Sequence, residues 1–97
     1  MIIAAGVSDQ EPGTLWERHP GFPYWTAVFW RSGCSKIEFR HCNFLLRKRS
    51  GILIPPNTPY TGSVVSREDQ LWMLFEPRPA LAGALPNPAE PQRLTQV

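Results

Sequence analysis

Apolar positions along the chain recur at a period of two, in short runs, and the runs are separated by turn chemistry. Ser35-Lys36-Ile37-Glu38-Phe39-Arg40 alternates polar and apolar residues, which puts Ile37 and Phe39 on one face and the charges on the other. Read in this way, the chain predicts strands over Ile2–Val7, Thr14–Arg18, Tyr24–Trp30, Cys34–Arg40, Asn43–Arg47, Ile52–Ile54, Tyr60–Val65 and Gln70–Glu76. Glu11-Pro12-Gly13, His19-Pro20-Gly21, Ser32-Gly33, Ser50-Gly51 and Pro55-Pro56-Asn57 mark the turns between them. Tyr24–Trp30 is nearly continuous in apolar and aromatic residues, a pattern expected of a strand buried on both faces. Short strands at regular spacing indicate a sandwich or a barrel.

The segment Gly51-Ile52-Leu53-Ile54-Pro55-Pro56-Asn57-Thr58-Pro59-Tyr60 shows how one corner is built. Its prolines exclude a helix and cannot donate to a strand ladder, so the chain must bend between two strands, with Tyr60 opening the second. The only helical candidate is Pro79–Leu85, about two turns long, with Pro79 suited to a first turn. A proline-rich stretch follows it. The expected division is therefore a globular domain over 1–85 and a tail or linker over 86–97.

Ninety-seven residues allow one domain with a modest core. A net charge of +2 is too small to mark a nucleic-acid surface, and the basic run Arg47-Lys48-Arg49 reads as a solvated turn. The apolar start, Met1–Val7, lacks a basic leader and is read as the first strand. No apolar run approaches the ~18 residues that span a bilayer, so no membrane role is expected and the default location is the cytoplasm. Cys34 and Cys42 are expected far apart in the hairpin register, as two free thiols.

Candidate chemistry is narrow. His41 and Cys42 are neighbours at a hairpin tip and point to opposite faces, and His19 lies in a loop. None has the spacing of a metal site, so no metal and no cofactor are expected. Cys34 and His41 have no orienting partner for covalent catalysis, so no enzymatic activity is expected either. Glu68-Asp69 reads as the solvated tip of a loop. On the last predicted strand Gln70, Trp72, Leu74 and Glu76 share one face, and Leu71, Met73 and Phe75 share the other, which should pack against a further layer. An amide beside an indole suits a sugar or similar polyol, whose C–H face stacks on the ring; the same pattern also suits a Trp in the core and a half-exposed Gln.

Gly33 through Pro79 resembles the sensing domain of AraC-type transcription regulators. The resemblance rests on Ser32-Gly33, Phe44-x-Leu46, the Gly51-to-Tyr60 corner and the closing run Trp72-Met73-Leu74-Phe75-Glu76-Pro77-Arg78-Pro79, with Ala4-Ala5-Gly6-Val7-Ser8 similar to the family's first strand. It implies an all-β, cupin-like jelly-roll barrel of about eight short strands with one short C-terminal helix. It also implies a small effector inside the barrel, with a sugar as the expected class. Carried over by position, ligand-binding roles fall on Ser8, Arg18, Tyr60, Gln70 and Trp72. A cupin metal motif wants His at position 60 and His-x-His near the first hairpin, where this chain has Tyr60 and no such pair. The family's long dimerisation helices and helix-turn-helix reader have no counterpart here, so DNA contact is expected only through a separate reader domain. A homodimer through sheet edges is possible in this scheme. The rival readings are a small metal-dependent cupin enzyme and a ligand-free structural dimerisation module.

Overall fold

Two long strands carry the architecture. In the computed structural model, which describes residues 1–77 and 91–95, the elements are β1 (Ile2–Gln10), β2 (Leu15–Arg18), β3 (Trp25–Glu38), β4 (Asn43–Arg47), β5 (Ser50–Ile54), β6 (Tyr60–Phe75) and β7 (Gln92–Thr95). Every pairing is antiparallel, and the sheet order is β1-β6-β3-β5-β7, with β2 added to β6 and β4 added to β3. The described residues are all-β, in a cupin-like arrangement. The helix expected over Pro79–Leu85 lies outside them.

β3 and β6 run beside each other for most of their length, and each serves two groups of neighbours. The first half of β3 pairs with β5 and with the second half of β6; its second half pairs with β4 and with the start of β6. One sheet thereby folds over on itself and encloses its inner face. Ser32-Gly33 is where this happens. The expected turn between two strands is instead a bulge inside one strand, with register shifts at Trp30/Ser32, Ser32/Cys34 and Cys34/Ser35. The bulge also changes side-chain parity: Thr26, Val28 and Trp30 face inward before it, Ser35 and Ile37 after it. Gly33 has φ 80°, and a Cβ there would stand 2.1 Å from the Arg67 carbonyl oxygen.

The core is small and aromatic. Trp30, Ile37, Leu46, Ile52, Ile54 and Tyr60 form its buried centre, and Trp16, Phe39, Phe44 and Trp72 pack against it. Ile37 and Phe39 thus take the inward side that their alternation predicts. The hairpin joining β3 to β4 closes with the Phe39 N–H donating to the Cys42 carbonyl at 2.8 Å. Cys34 lies opposite Arg47, and both thiols are free. Between β4 and β5 the turn falls on Lys48-Arg49 rather than Ser50-Gly51. Arg49 takes φ 69° there, while the Ser50 hydroxyl bonds both the N–H and the C=O of Arg47.

Two further sequence-based expectations change. Residues 92–95 do not behave as a linker; they add a strand to β5, from Ser50 opposite Thr95 to Leu53 opposite Gln92. β5 would otherwise be an open edge, and pairing needs only the backbone, so a four-residue strand forms without an apolar pattern. The Leu71, Met73 and Phe75 face also departs from expectation. With Ala5, Val7 and Phe29 it lies on the outer side of the sheet, where Val7 and Leu71 are exposed and no second layer covers it among the described residues.

Replacing Gly33 with Ala tests the bulge. The added Cβ collides with backbone at a left-handed position, so unfolding free energy should fall by about 2–4 kcal/mol. Urea denaturation measures this; a loss below about 0.5 kcal/mol, the range of ordinary surface substitutions, would show that the bend does not depend on a glycine.

Candidate functional site

The folded sheet forms a partly open cavity of about 370 Å³ between the inner faces of β1, β2, β3 and β6. Ser8, Arg18, Tyr60, Gln70 and Trp72 all line it. Strand register explains why. Arg18 stands opposite Tyr60, Ser8 opposite Gln70, and Gly6 opposite Trp72, all on the inward side of their strands.

Glycines leave room for the two indoles that flank the space. A Cβ at Gly6 would lie 2.7 Å from Cζ2 of Trp72, and one at Gly62 would lie 2.3 Å from Cε2 of Trp16. Each tryptophan therefore lies across its neighbouring strand instead of standing away from it. Thr26, Val28 and Trp30 of β3 contribute further lining, and Phe22 lines the space from the loop before β3.

Among the described residues, Arg18 is the only charged side chain lining the cavity. Its Nη1 donates to the Glu17 carbonyl at 2.9 Å, and its guanidinium lies 5.2 Å from the centre of the Phe22 ring. Its Nε is buried without a hydrogen-bond partner, and among the described residues it makes no salt bridge. Tyr60 is buried and packs on Phe39 at 5.8 Å between ring centres. Burial pushes the Tyr60 phenol above its ordinary range, and the nearby Arg18 charge offsets part of that rise.

Beneath the lining sits a carboxylate. Glu68 is 1% exposed, not at the solvated tip of a loop as its sequence neighbourhood predicts. It lies within β6, and its reach is inward because Arg67 and Asp69 take the outward positions. Asp69 pairs with Arg31 at 2.7 Å, and Arg67 pairs with Asp9 at 3.1 Å and Glu11 at 2.6 Å. Glu68 Oε2 accepts the Trp30 indole N–H at 2.5 Å and the Ser35 hydroxyl, and Oε1 accepts the Gln70 amide. The Gln70 nitrogen also reaches Gln10 Oε1 at 3.4 Å.

The sequence does not single out the lining residues Gln10, Trp16, Phe22, Thr26, Val28 and Trp30, nor Glu68 behind them. Trp16 and Gln10 were findable by parity, lying two positions from Arg18 and Ser8 on the same strands. Glu68 shares the parity of Gln70 and Trp72, but the charged composition of Arg67-Glu68-Asp69 reads as a loop and hides it. His19 stands outside the cavity and contacts the Thr61 hydroxyl at 3.2 Å, while His41 and Cys42 are exposed beside the β3–β4 turn. No group of three potential metal-ligating side chains converges among the described residues. The cavity offers hydrogen-bond donors and acceptors, one cation and aromatic faces, a set suited to holding a small molecule.

No family model matches the sequence, and no curated protein matches it. Solved structures share the fold. SPY1581 of Streptococcus pyogenes, a conserved protein of unknown function, aligns with TM-score 0.69 at 20% identity, over 76% of this chain and 64% of that one. ToxT of Vibrio cholerae, an AraC-family regulator, aligns in its unsaturated fatty acid-bound form with TM-score 0.65 at 11% identity, over 77% of this chain and 30% of that one. A cupin-2 domain protein of Shewanella frigidimarina gives TM-score 0.59 at 18% identity, covering 80% and 78% of the two chains. At these identities the likeness shows the fold alone: one found in both an AraC-family regulator and a cupin. The chain spans less than two thirds of SPY1581 and under a third of ToxT.

Two outcomes follow from the buried groups. Glu68→Gln leaves one acceptor oxygen for three donors and sets an amide nitrogen against at least one of them, so stability should fall by about 1–3 kcal/mol in chemical denaturation. An unchanged midpoint would remove the network from the account of the fold. For Tyr60, the folded state holds the phenolic proton more tightly than the unfolded chain. Its contribution is complete below the ordinary tyrosine range near 10 and is lost as pH rises through the higher folded value. Ultraviolet titration should show a late-ionising phenol that disappears in Tyr60→Phe, with thermal stability declining over the same alkaline interval.

Proposed function

We propose that the chain is the effector-sensing domain of an AraC-type transcription regulator, holding a small polar molecule in the cavity, with a sugar as the expected class. The observation that carries this reading is the convergence of Ser8, Arg18, Tyr60, Gln70 and Trp72 on one cavity between two glycine-seated indoles. A pyranose ring stacks its C–H face on Trp72. Ser8, Gln70 and Tyr60 exchange hydrogen bonds with its hydroxyls, and Arg18 supplies charge-assisted ones. Occupancy acts by favouring the conformation in which these groups are already aligned, and the shift is limited to the ligand's differential affinity for that state.

In this reading the domain binds its ligand without chemistry; among the described residues the lining carries no carboxylate, imidazole or thiol. DNA contact belongs to a helix-turn-helix domain outside this fold, self-association to the sheet edges, and the setting is cytoplasmic. No helix among the described residues is long and apolar enough to cross a membrane. One observation favours a second ligand class. Val28, Ile37, Leu74, Phe22 and the tryptophans make much of the lining apolar, and ToxT has been solved with an unsaturated fatty acid bound, so an aliphatic acid is the alternative occupant.

Calorimetric titration with pentoses, hexoses, uronic acids and medium-chain fatty acids tests the proposal. Binding by a sugar-class member, weakened at least about tenfold (~1.4 kcal/mol) in Trp72→Ala, is the expected result. Affinity unchanged in both Trp72→Ala and Arg18→Ala would remove the site assignment.

A further inference from the structure

The cavity holds a positive charge with no internal counter-ion among the described residues, and the physical consequences of that go beyond sugar binding in general. Two carboxylates lie near in sequence or across the fold, and neither neutralises Arg18. Glu17 precedes it on β2 and therefore points to the opposite side of the strand. Glu68 is committed to Trp30, Ser35 and Gln70. What Arg18 has is a main-chain carbonyl and an aromatic ring, with a buried Nε left over. A buried guanidinium N–H without an acceptor is costly, and an anionic oxygen placed in the cavity relieves it.

The other polar part of the lining has the opposite character. Glu68 accepts only, so the NH₂ end of Gln70 must face it, and Gln10 takes that nitrogen's second bond. The Gln70 carbonyl oxygen is the end left for the cavity, beside the Ser8 hydroxyl that stands opposite it in the register. An oxygen acceptor repels an anion and receives a hydroxyl proton. Recognition is therefore split along β6: an anion-accepting part at Arg18 and Tyr60 where the strand begins, and a hydroxyl-accepting part at Gln70 and Ser8 further along.

Resting on the effector-binding reading, we infer that the ligand is a hydroxylated carboxylic acid, a sugar acid rather than a neutral sugar, with its carboxylate on Arg18 and a hydroxyl donating to Gln70. Trp16 and Trp72 take the ring faces between these two ends. An aliphatic acid satisfies Arg18 but leaves the Gln70 oxygen facing hydrocarbon; a neutral sugar satisfies Gln70 but leaves the guanidinium without its counter-ion.

The test is a set of matched titrations on the 97-residue chain: galacturonate and glucuronate, their methyl esters, galactose and glucose, and octanoate. The expected result is binding of at least one uronate at least tenfold tighter than both its methyl ester and its neutral hexose, with that advantage falling in Arg18→Met and partly kept in Arg18→Lys. The ester comparison uses unaltered protein, so it decides the matter even where a variant fails to fold. A neutral sugar binding as tightly as its uronate overturns the acid assignment and leaves the effector reading standing. Octanoate binding without any uronate overturns the hydroxyl assignment. A uronate preference that survives intact in a folded Arg18→Met protein moves the anion site away from Arg18. Absence of binding by every sugar, acid or neutral, overturns this inference together with the sugar reading beneath it.

Discussion

The carboxylate of Glu68, buried where β3 and β6 bend together, is the interaction on which the rest of the structure depends. It ties Trp30 and Ser35, which flank the bulge of β3, to Gln70 on its own strand. A buried carboxylate is tolerated only when it is well hydrogen-bonded, and here three neutral donors bond it, two on one oxygen and one on the other. Removing any one donor leaves the buried group under-bonded, which couples the bend, the core tryptophan and the cavity wall. Gly33 makes this closure sterically possible, since Arg67 and Glu68 occupy the space a side chain would need.

The same bend shapes the cavity. A flat sheet would present Arg18 and Gln70 on a surface open to water; the folded sheet turns them toward a common space. The indoles of Trp16 and Trp72 fit because Gly62 and Gly6 lie beneath them. The surface ion pairs of Arg31, Asp69, Arg67, Asp9 and Glu11 run across β1, β3 and β6 on the outside of the bend. Each is exposed and contributes at most about 1 kcal/mol. Their greater effect is on facing: charges at 67 and 69 face water, which leaves position 68 facing in.

Period-two alternation made the strands, their inward faces and the pairing of Gln70 with Trp72 legible in the sequence, because alternation is a direct image of the pleat. Tyr60 was placed correctly at the start of its strand by the prolines before it. Three features were not legible, and for related reasons. Ser32-Gly33 has the composition of a turn, and only its partner strand distinguishes a turn from a bulge. Arg67-Glu68-Asp69 has the composition of a loop, and only the indole of Trp30, far off in the chain, supplies a reason to bury its middle member. Residues 92–95 pair through backbone, which leaves no side-chain signature. In each case the deciding partner is distant in sequence. The roles of Ser8 and Arg18 came from family resemblance; register then showed that both face the cavity, which is a statement of place and not of binding.

A buried carboxylate and a half-buried guanidinium on neighbouring strands of one folded sheet have an obvious way to satisfy both, which is to pair them. This fold keeps them apart. Trp30, Ser35 and Gln70 saturate Glu68 from the side of β3 and β6, while Arg18 is held on β2 against Phe22 and the Glu17 carbonyl. Had the two charges met, the cavity would be neutral and partly filled by its own side chains, with little electrostatic gain left for a ligand. Separation leaves the Arg18 Nε without a hydrogen-bond partner and holds the Gln70 amide nitrogen toward Glu68. A ligand shifts a conformational equilibrium only by its differential affinity for the two states, and these two groups are where the cavity could generate one.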